Sequence, residues 1–386
     1  MQNENSLIFY DEKMKNVTSI YSVKAYFRSV TLVLLASGLL LSQVNLAIGQ
    51  ISIDNIVVPA TVPEHDRDTY RIQAAIDVAH AAMHQPGLSS RVIIPAGKVE
   101  KGTYKPRRYR LNKTIVVKGG VVLSTDSGGR RGVRLRWDNV MDDQPLLWFH
   151  DCHGGGLENI AISVRSLAAN QRGDRVTGIL LQSQSSAVLQ NFTVDLANAG
   201  EDSIGLYLTE DKRVKRNTES VTVRDFNITA PKPVVIGSGD NLTFSTFDLT
   251  LIDRHSTNST KAIFQNSNSY VPANVVIGPG TGQKGDHAIS FTGQRERSRG
   301  TGDCFTIQNF RWEQGTDKGP AWKIDVNRFD PEKPQTRLHT IESVVFINCR
   351  HSPQNSNRDY VGRYIPSVGV LNTNFIGGYY PGKFKQ

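Results

Sequence analysis

The chain has 386 residues, of which 38% are hydrophobic and 21% charged, so it is long and apolar enough to bury a large core. Three cysteines exclude a disulfide framework, because they can form at most one bridge. The formal net charge of +9 favours an anionic partner. Because no RNA-binding aromatic motif, helix-turn-helix pattern or zinc spacing is present, we expect an acidic polysaccharide and no nucleic acid.

The first 49 residues are typical of a signal peptide with a polar leader. Lys24 and Arg28 precede the apolar run "VTLVLLASGLLL" (30–41), which is too short to span a bilayer, and small residues suited to cleavage precede Gln50. The alternative is an N-terminal membrane anchor. Cleavage leaves 41 basic against 33 acidic residues, a charge of +8. We therefore expect a secreted, periplasmic or cell-surface protein without stable membrane insertion after cleavage.

The stretch "DTYRIQAAIDVAHAAM" (68–83) is the one clear amphipathic helix of the sequence, and the strand pattern "RVIIPAG" (91–97) follows it. Its apolar residues recur at helical spacing and fall on one face: Ile72, Ala75, Ile76, Ala79 and Met83. Since the rest of the chain has a strand pattern, we predict that this helix caps the open end of a β structure, where strand edges would otherwise be exposed.

Short segments with a polar third residue recur downstream. They are "LENIAI" (157–162), "LQNFTV" (189–194), "VRDFNI" (223–228), "FSTFDL" (244–249), "IQNFRW" (307–312), "FINCRH" (346–351) and a looser copy, "PANVVI" (272–277). Their third residues are Asn159, Asn191, Asp225, Thr246, Asn309, Asn348 and Asn274, at spacings of 21 to 39 residues. A fixed-period repeat would not vary so much, but a parallel β-helix can, because loops of any length leave at its turns. Small polar residues suit such turns, since Asn tolerates the left-handed conformation.

A second strand recurs ahead of each turn, and its alternating pattern indicates one core-facing and one outward-facing side. The copies are "LLWFH" (146–150), "GILLQ" (178–182), "GLYLT" (205–209), "VVIGS" (234–238), "AIFQN" (262–266), "AISFT" (288–292), "AWKID" (321–325) and "GVLNT" (369–373). We therefore predict one domain, 50–386, with about eight rungs: cap and first coils at 66–136, rungs at 137–386. Cys349 takes a position held by Phe in four copies and is predicted to be a buried core thiol.

The N-terminal stretch resembles the entry motif of the pectate lyase superfamily, in its rhamnogalacturonase- and epimerase-like form. The residues that carry the resemblance are "DTYRIQAAIDVAHAA", "RVIIPAG" and "YRLNKTIVVKGGVVLST". The resemblance implies an all-β fold, a right-handed parallel β-helix with an N-terminal capping α-helix. The catalytic motifs of polygalacturonase-type hydrolases and the "W-x-D-H" of pectate lyases are absent, so no catalytic residue is carried over from the family.

Ligands of such a fold lie along the outside of one sheet, between the turn insertions. For β-elimination from a uronic acid, the candidate catalytic residues are Tyr207, Lys323 and His255. For hydrolysis by a carboxylate pair, they are Asp202, Glu210 and Asp325. Substrate binding is assigned to His150, Gln182, Lys212, Arg213, Phe264, Asn266 and Arg295. A bound Ca²⁺ is compatible with elimination, although no spacing establishes a metal site.

The sequence is compatible with three functions. The first is a polysaccharide lyase that cleaves a uronate-containing polymer by β-elimination. The second is a glycoside hydrolase acting in the same groove, and the third is a non-catalytic polysaccharide-binding or adhesion protein. The positive charge and the missing hydrolase motifs favour the lyase.

Overall fold

The structure is a computed structural model of the chain. It describes residues 50–83, 91–100, 103–127, 132–138, 143–150, 153–165, 175–211, 218–255, 259–267, 271–293, 304–315, 320–326, 341–353 and 370–377. Residues Ile48–Gln386 form one compact unit. The predicted signal peptide, 1–49, lies outside the described residues. Within the described ranges, no helix has both the length and the apolar character needed to cross a bilayer.

Two parallel sheets make up nearly all of the regular structure. Sheet 1 contains Gln50–Ser52, Arg91–Ile94, Arg107–Leu111, Val122–Thr125, Val133–Trp137, Gly156–Glu158, Ile160–Val164, Val188–Asp195, Glu219–Ala230, Asp240–Leu251, Val275–Ile277, Gly280–Gln283, Cys304–Gln308, Phe310–Gly315, Ile341–Ile347, Arg350–Pro353 and Val370–Ile376. Sheet 2 contains Ile115–Val117, Pro145–His150, Thr177–Gln182, Ile204–Thr209, Lys232–Ile236, Ala262–Asn266, His287–Gly293 and Trp322–Val326. Lys98–Glu100 and Thr103–Lys105 form a small antiparallel hairpin, and Ile53–Asn55 and Glu64–Asp66 are 3₁₀ turns.

The chain passes alternately through the two sheets, and each strand pairs in parallel with the strand one coil away. In sheet 2, for example, Leu147, Ile179, Leu206 and Val234 lie side by side on successive coils. All four side chains are fully buried in one continuous hydrophobic core. The right-handed parallel β-helix of about eight rungs is therefore confirmed.

The turn residues have the conformation that the repeat predicts. All six gap-free copies place their polar third residue at a positive φ of 48° to 61°: Asn159, Asn191, Asp225, Thr246, Asn309 and Asn348. The amide of Asn191 donates to the side-chain oxygen of Asn159 one coil earlier. The residue after the turn points inward, and the rings of Phe192 and Phe226 stack there with centroids 5.4 Å apart. Each bend thus redirects sheet 1 while the core stays apolar.

Two segments of the repeat lie in other strands than the sequence pattern predicts. Val275–Ile277 pairs with Leu242–Phe244, so Asn274 lies one strand before the turn, and the bend of that coil falls at the cis peptide Gly278–Pro279. The segment Val370–Ile376 pairs with Ile341–Ile347 in sheet 1, and therefore is not the eighth strand of sheet 2. The eighth strand is Ile115–Val117, from the region assigned to the cap.

The amphipathic helix spans Arg67–Ala82 and packs over the first coils. Ile72, Ala75, Ile76 and Ala79 are fully buried, as the sequence predicts. The helix also supplies polar groups to the strand edges beneath it, because the Asp68 carboxylate accepts a hydrogen bond from the backbone N–H of Arg110 at 2.9 Å. Such bonds satisfy edge groups that would otherwise be open to another chain.

The cysteines have different surroundings. Cys349 is 2% exposed, and burial raises the pKa of its thiol to about 11, so it is a core thiol, as predicted. Cys304 is exposed and free. Cys152 lies outside the described residues.

Candidate functional site

The outer face of sheet 2 carries two rows of side chains that alternate with the core residues. The first row runs across successive strands through Trp148, Leu180, Tyr207, Val235, Gln265, Ser290 and Lys323. The second row begins with His150, Gln182 and Thr209, and Thr292 follows farther along. Neighbouring strands are about 4.8 Å apart, so the two rows form a strip of regularly spaced side chains along the sheet.

His150 and Asp211 form an ion pair at one end of this strip. His150 Nε2 lies 3.0 Å from Asp211 Oδ2, and the two side chains are 34% and 15% exposed. The backbone N–H of Asp211 donates to Ser183 Oγ at 2.7 Å, which fixes the turn that carries the carboxylate. A half-exposed imidazole held by a carboxylate can recognise an anionic group or take part in proton transfer.

Trp148 lies beside this pair and provides a flat aromatic surface. Its ring centroid is 4.7 Å from that of His150, and its Nε1 donates to Gln182 Oε1 at 3.1 Å. With the carbonyl of Gln182 engaged in this way, the amide NH₂ is the group that Gln182 can offer to a ligand. An aromatic face next to amide and imidazole donors is suited to binding a sugar ring.

Three hydroxyl groups converge two strands away, around Gly237. Tyr207 OH and Ser267 Oγ are hydrogen-bonded to each other at 3.0 Å. A Cβ built on Gly237 would lie 2.7 Å from Ser267 Oγ, 2.9 Å from Thr209 Oγ1 and 3.0 Å from Tyr207 OH. The missing side chain therefore leaves room for the three hydroxyls to approach one another. A phenol supported by an aliphatic hydroxyl can exchange a proton with a bound substrate.

Two of the proposed binding residues do not face outward. Phe264 is fully buried, and its ring packs against Phe244 at 5.3 Å and Phe247 at 5.4 Å between centroids. Asn266 bonds to the backbone of the next coil, since its Nδ2 donates to Thr292 O at 2.7 Å and its Oδ1 accepts from Thr292 N at 3.0 Å. The assignment of Phe264 to substrate binding is wrong, because the strand is offset by one residue, whereas that of Asn266, which is half-buried, stays a prediction.

Gln265 takes the outward position of that strand. It is 4% exposed, and its Oε1 has no hydrogen-bond partner. Ser290, on the next strand, is also 4% exposed. The middle of the strip is therefore shielded from solvent, while the end at Trp148 and His150 is more open.

Asp202 and His255 meet at the other end of the strands, away from Tyr207. Lys232 Nζ lies 3.2 Å from Asp202 Oδ1, and His255 Nδ1 lies 3.6 Å from the same oxygen with its side chain fully buried. Burial lowers the pKa of His255. Tyr207 is five residues from Asp202, about 16 Å along a strand, so these candidate acids and bases do not form one catalytic site.

The other candidates are spread along the strip or lie outside the described residues. Lys323 is in the same row as Tyr207 but four strands away, about 19 Å. Glu210 is half-buried directly before Asp211. The backbone of Asp325 pairs with Thr292, but its side chain is not among those described. The predicted binding residues Lys212, Arg213 and Arg295 lie outside the described residues.

Sequence reasoning missed Trp148, Ser267 and Gly237 as members of the site. Trp148 could have been found, because it alternates with the core residues of its strand. Ser267 and Gly237 follow strand ends, and only the folded chain shows that their atoms meet Tyr207. Within the described ranges, no group of three or more His, Cys, Asp or Glu side chains could hold a metal ion.

No family model matches the chain, and no curated protein sequence matches it. Solved structures do match. The A-module of mannuronan C-5 epimerase AlgE6 from Azotobacter vinelandii is 12% identical, over 87% of this chain and 97% of that chain, with a TM-score of 0.37. The surface protein and adhesin PfbA of Streptococcus pneumoniae is 10% identical over 86% and 99%, with a TM-score of 0.44. The endo-xylogalacturonan hydrolase from Aspergillus tubingensis is 11% identical over 86% and 93%, with a TM-score of 0.45.

At these identities the likeness concerns the fold alone. The strand pairing of the chain itself, with each strand hydrogen-bonded in parallel to the strand one coil away, defines the architecture. The chain is a right-handed parallel β-helix protein.

Proposed function

We propose that this protein is an exported polysaccharide lyase that binds a uronate-containing polymer along the outer face of sheet 2 and cleaves it by β-elimination. One observation carries the proposal. His150, ion-paired with Asp211, and Tyr207, hydrogen-bonded to Ser267, lie two strands apart on the same strip. The Cα atoms of His150 and Tyr207 are about 12 Å apart on this geometry, and both residues stand on the outward side of their strands, so a bound polymer can contact both.

In this proposal Tyr207 transfers the proton. Its phenolate oxygen, to which Ser267 donates a hydrogen bond, removes the proton from C5 of the uronate. The electron pair of the C5–H bond forms the C4–C5 double bond, and the C4–O bond breaks. The departing oxygen takes the proton from Tyr207, which returns the enzyme to its starting state. The step balances without an external co-reactant.

His150 recognises the substrate carboxylate in the same proposal. The C5 proton becomes acidic only when the charge that develops on the carboxylate is stabilised. The imidazole of His150, held by Asp211, provides a hydrogen-bonding group on the strip, and Trp148 beside it supplies a stacking surface. Lys323, farther along the same face, would bind the carboxylate of another sugar unit.

Hydrolysis is less well supported by this arrangement. It needs two carboxylates that flank the bond, one of them acting as acid. Among the described side chains near Tyr207, the carboxylates are Glu210 and Asp211, and the latter is engaged by His150. An acid and a nucleophile need two different environments that keep one carboxyl protonated and the other ionised, and two adjacent residues of one turn do not provide them.

The test is a screen of the exported chain against acidic and neutral polysaccharides. Elimination is expected to produce the ultraviolet absorbance of an unsaturated uronate, and Tyr207→Phe should reduce the rate by about 100-fold or more. Tyr70→Phe, an exposed tyrosine of the capping helix, is the matched control and should leave the rate unchanged. New reducing ends without that absorbance would mean hydrolysis. Binding without either product would mean a non-catalytic protein.

A further inference from the structure

Four arginines form a square on the outside of sheet 1, on a different face from the strip of sheet 2. Two neighbouring parallel strands place Arg108 beside Arg134 and Arg110 beside Arg136. The alternate residue Tyr109 is 1% exposed, so the arginines are on the outward side of both strands. We call Arg108, Arg110, Arg134 and Arg136 the arginine square.

The charge of this square is largely uncompensated. Arg136 Nε donates to Asp138 Oδ1 at 2.9 Å. In the part of the chain that the structure describes, the other three guanidinium groups have no carboxylate partner. The nearby Asp68 carboxylate is engaged by the backbone N–H of Arg110. The arginines therefore keep donors available for a ligand.

The arrangement is unfavourable unless something anionic lies on it. Cross-strand neighbours are about 4.8 Å apart, and like charges placed directly opposite each other destabilise a sheet. The next strand provides no negative charge to compensate the arginines, since Ala161 lies beside Arg134 and Ser163 beside Arg136. A bound anion would offset this repulsion, and guanidinium groups bind carboxylates and sulfates in bidentate geometry.

The chemistry of the surface identifies the class of anion. The aromatic residues of these two strands, Tyr109 and Trp137, are each 1% exposed, so neither offers a ring on which a nucleic acid base could stack. The apolar residues Leu111 and Leu135 are also buried, so these strands present no apolar surface to a membrane. The outward face offers regularly spaced guanidinium donors along extended strands.

We propose that the arginine square is a second binding surface for an acidic polysaccharide, one that holds the polymer through its carboxylate or sulfate groups while the strip of sheet 2 acts elsewhere. The choice of polymer rests on the proposed function, but the binding does not require that the protein cleave it.

The chain provides a matched pair of double variants. Arg108→Gln with Arg134→Gln removes two neighbouring charges from the square. Arg311→Gln with Arg350→Gln removes two neighbouring charges from the other end of sheet 1, where Arg311 Nε is already paired with Glu313 at 2.8 Å. Both variants lose the same net charge, so a nonspecific charge effect would weaken binding equally.

The experiment measures the Kd of the exported chain for polygalacturonate and for dextran sulfate at low salt, with neutral dextran as the uncharged probe. The Arg108/Arg134 variant should bind one of the two anionic polymers about tenfold more weakly, and the Arg311/Arg350 variant less than about twofold. Equal losses in both variants, or no binding of either anionic polymer by the unaltered protein, would overturn the proposal. So would arginine-dependent binding of single-stranded DNA or anionic vesicles in place of the polysaccharides.

Cleavage of a short oligosaccharide separates this inference from the proposed lyase activity. A short substrate can occupy the strip of sheet 2 without reaching the arginine square, so the Arg108/Arg134 variant should cleave it at the unaltered rate. If no variant cleaves any substrate but the arginine-dependent binding persists, the lyase proposal fails and the binding surface stands. If cleavage of the short substrate falls with polymer binding, the square is not a separate surface and the inference is wrong.

Discussion

The side chain of Gln73 pairs with both backbone groups of Val116, as a neighbouring strand would. Gln73 Nε2 donates to Val116 O at 3.0 Å, and Val116 N donates to Gln73 Oε1 at 2.9 Å. Val116 lies in the first strand of sheet 2. One amide of the capping helix therefore closes an edge that would otherwise template pairing with another chain.

Gln73→Ala is expected to destabilise the protein by about 1–3 kcal/mol, because it leaves an N–H and a C=O group of the edge strand unpaired. Equilibrium unfolding in denaturant measures the change. Val78→Ala on the same helix is the control, since Val78 is 41% exposed and should cost little. We also expect Gln73→Ala to aggregate sooner on warming, and equal behaviour of the two variants would contradict the role assigned to Gln73.

Replacing His150 is expected to weaken substrate binding more than folding. His150→Ala removes the group proposed to bind the uronate carboxylate, so kcat/KM should fall by about 10- to 100-fold with little change in thermal stability. Asp211→Asn keeps the shape of its partner but removes the charge, and its loss should be smaller. His65→Ala, whose side chain is 73% exposed, should match the unaltered protein. Unchanged kinetics in His150→Ala would exclude His150 from the site.

Gly237→Ala tests the convergence of the three hydroxyls. The added methyl would lie 2.7 Å from Ser267 Oγ and 3.0 Å from Tyr207 OH, so the two hydroxyls must separate. Activity should fall at least about tenfold, because a small displacement of a proton-transfer group is costly. Ser267→Ala removes the same hydrogen bond without adding bulk and provides the comparison. If Gly237→Ala retained full activity while Ser267→Ala lost it, the added methyl would not separate the two hydroxyls, and the role assigned to Gly237 would be wrong.

The stability of the protein should fall as the solution is acidified below neutral pH. Burial lowers the pKa of His255 and of His287 below the usual value of 6.5. The unfolded chain therefore binds protons first, so this stability is fully present above about pH 6.5 and is lost as the pH falls toward the folded pKa. Each histidine contributes a slope of at most about 1.4 kcal/mol per pH unit.

Denaturant unfolding between pH 5 and pH 8 measures this slope. His255→Gln should flatten it, because the replaced side chain no longer titrates. His65→Gln should leave it unchanged, since His65 is exposed. A His255→Gln variant with the original slope would show that His255 does not contribute.

Phe264 and Gln265 provide a test of the strand offset with two adjacent residues. Phe264→Ala opens a cavity among the core rings and should cost about 3–5 kcal/mol of unfolding free energy. Gln265→Ala removes an outward side chain whose Oε1 has no partner, so it should cost far less. The unfolding midpoints of the two variants in denaturant show which substitution destabilises the protein more. A reversed order would place Phe264 on the outside, as the sequence first indicated.

The sequence predicted the turns better than the strand register. The polar residue at Asn159 or Thr246 has to adopt a left-handed conformation, and that requirement limits which residues can stand there. In "AIFQN", by contrast, a register shift of one residue exchanges Phe264 for Gln265 on the outer face, and both alternatives leave an alternating pattern. Pairing with Val234 and Ile289 fixes the choice, and that information lies in other coils.

The candidate site was predicted only in part for the same reason. His150, Gln182 and Tyr207 could be found because each alternates with core residues of its own strand. Their partners Asp211 and Ser267 follow strand ends, where no periodicity constrains the direction of a side chain. The ion pair of His150 joins residues 61 positions apart, so it depends on the lengths of the intervening loops.

The regular spacing of sheet 2 has a consequence for the length of the strip on its outer face. Eight strands at about 4.8 Å give a strip about 34 Å long. Each coil hydrogen-bonds to the coils beside it, so inserting or deleting one whole coil would lengthen or shorten the strip by one step without rebuilding the others. The number of coils therefore sets the length of the strip, and a change in that number would leave the chemical groups around Trp148 and His150 unaltered.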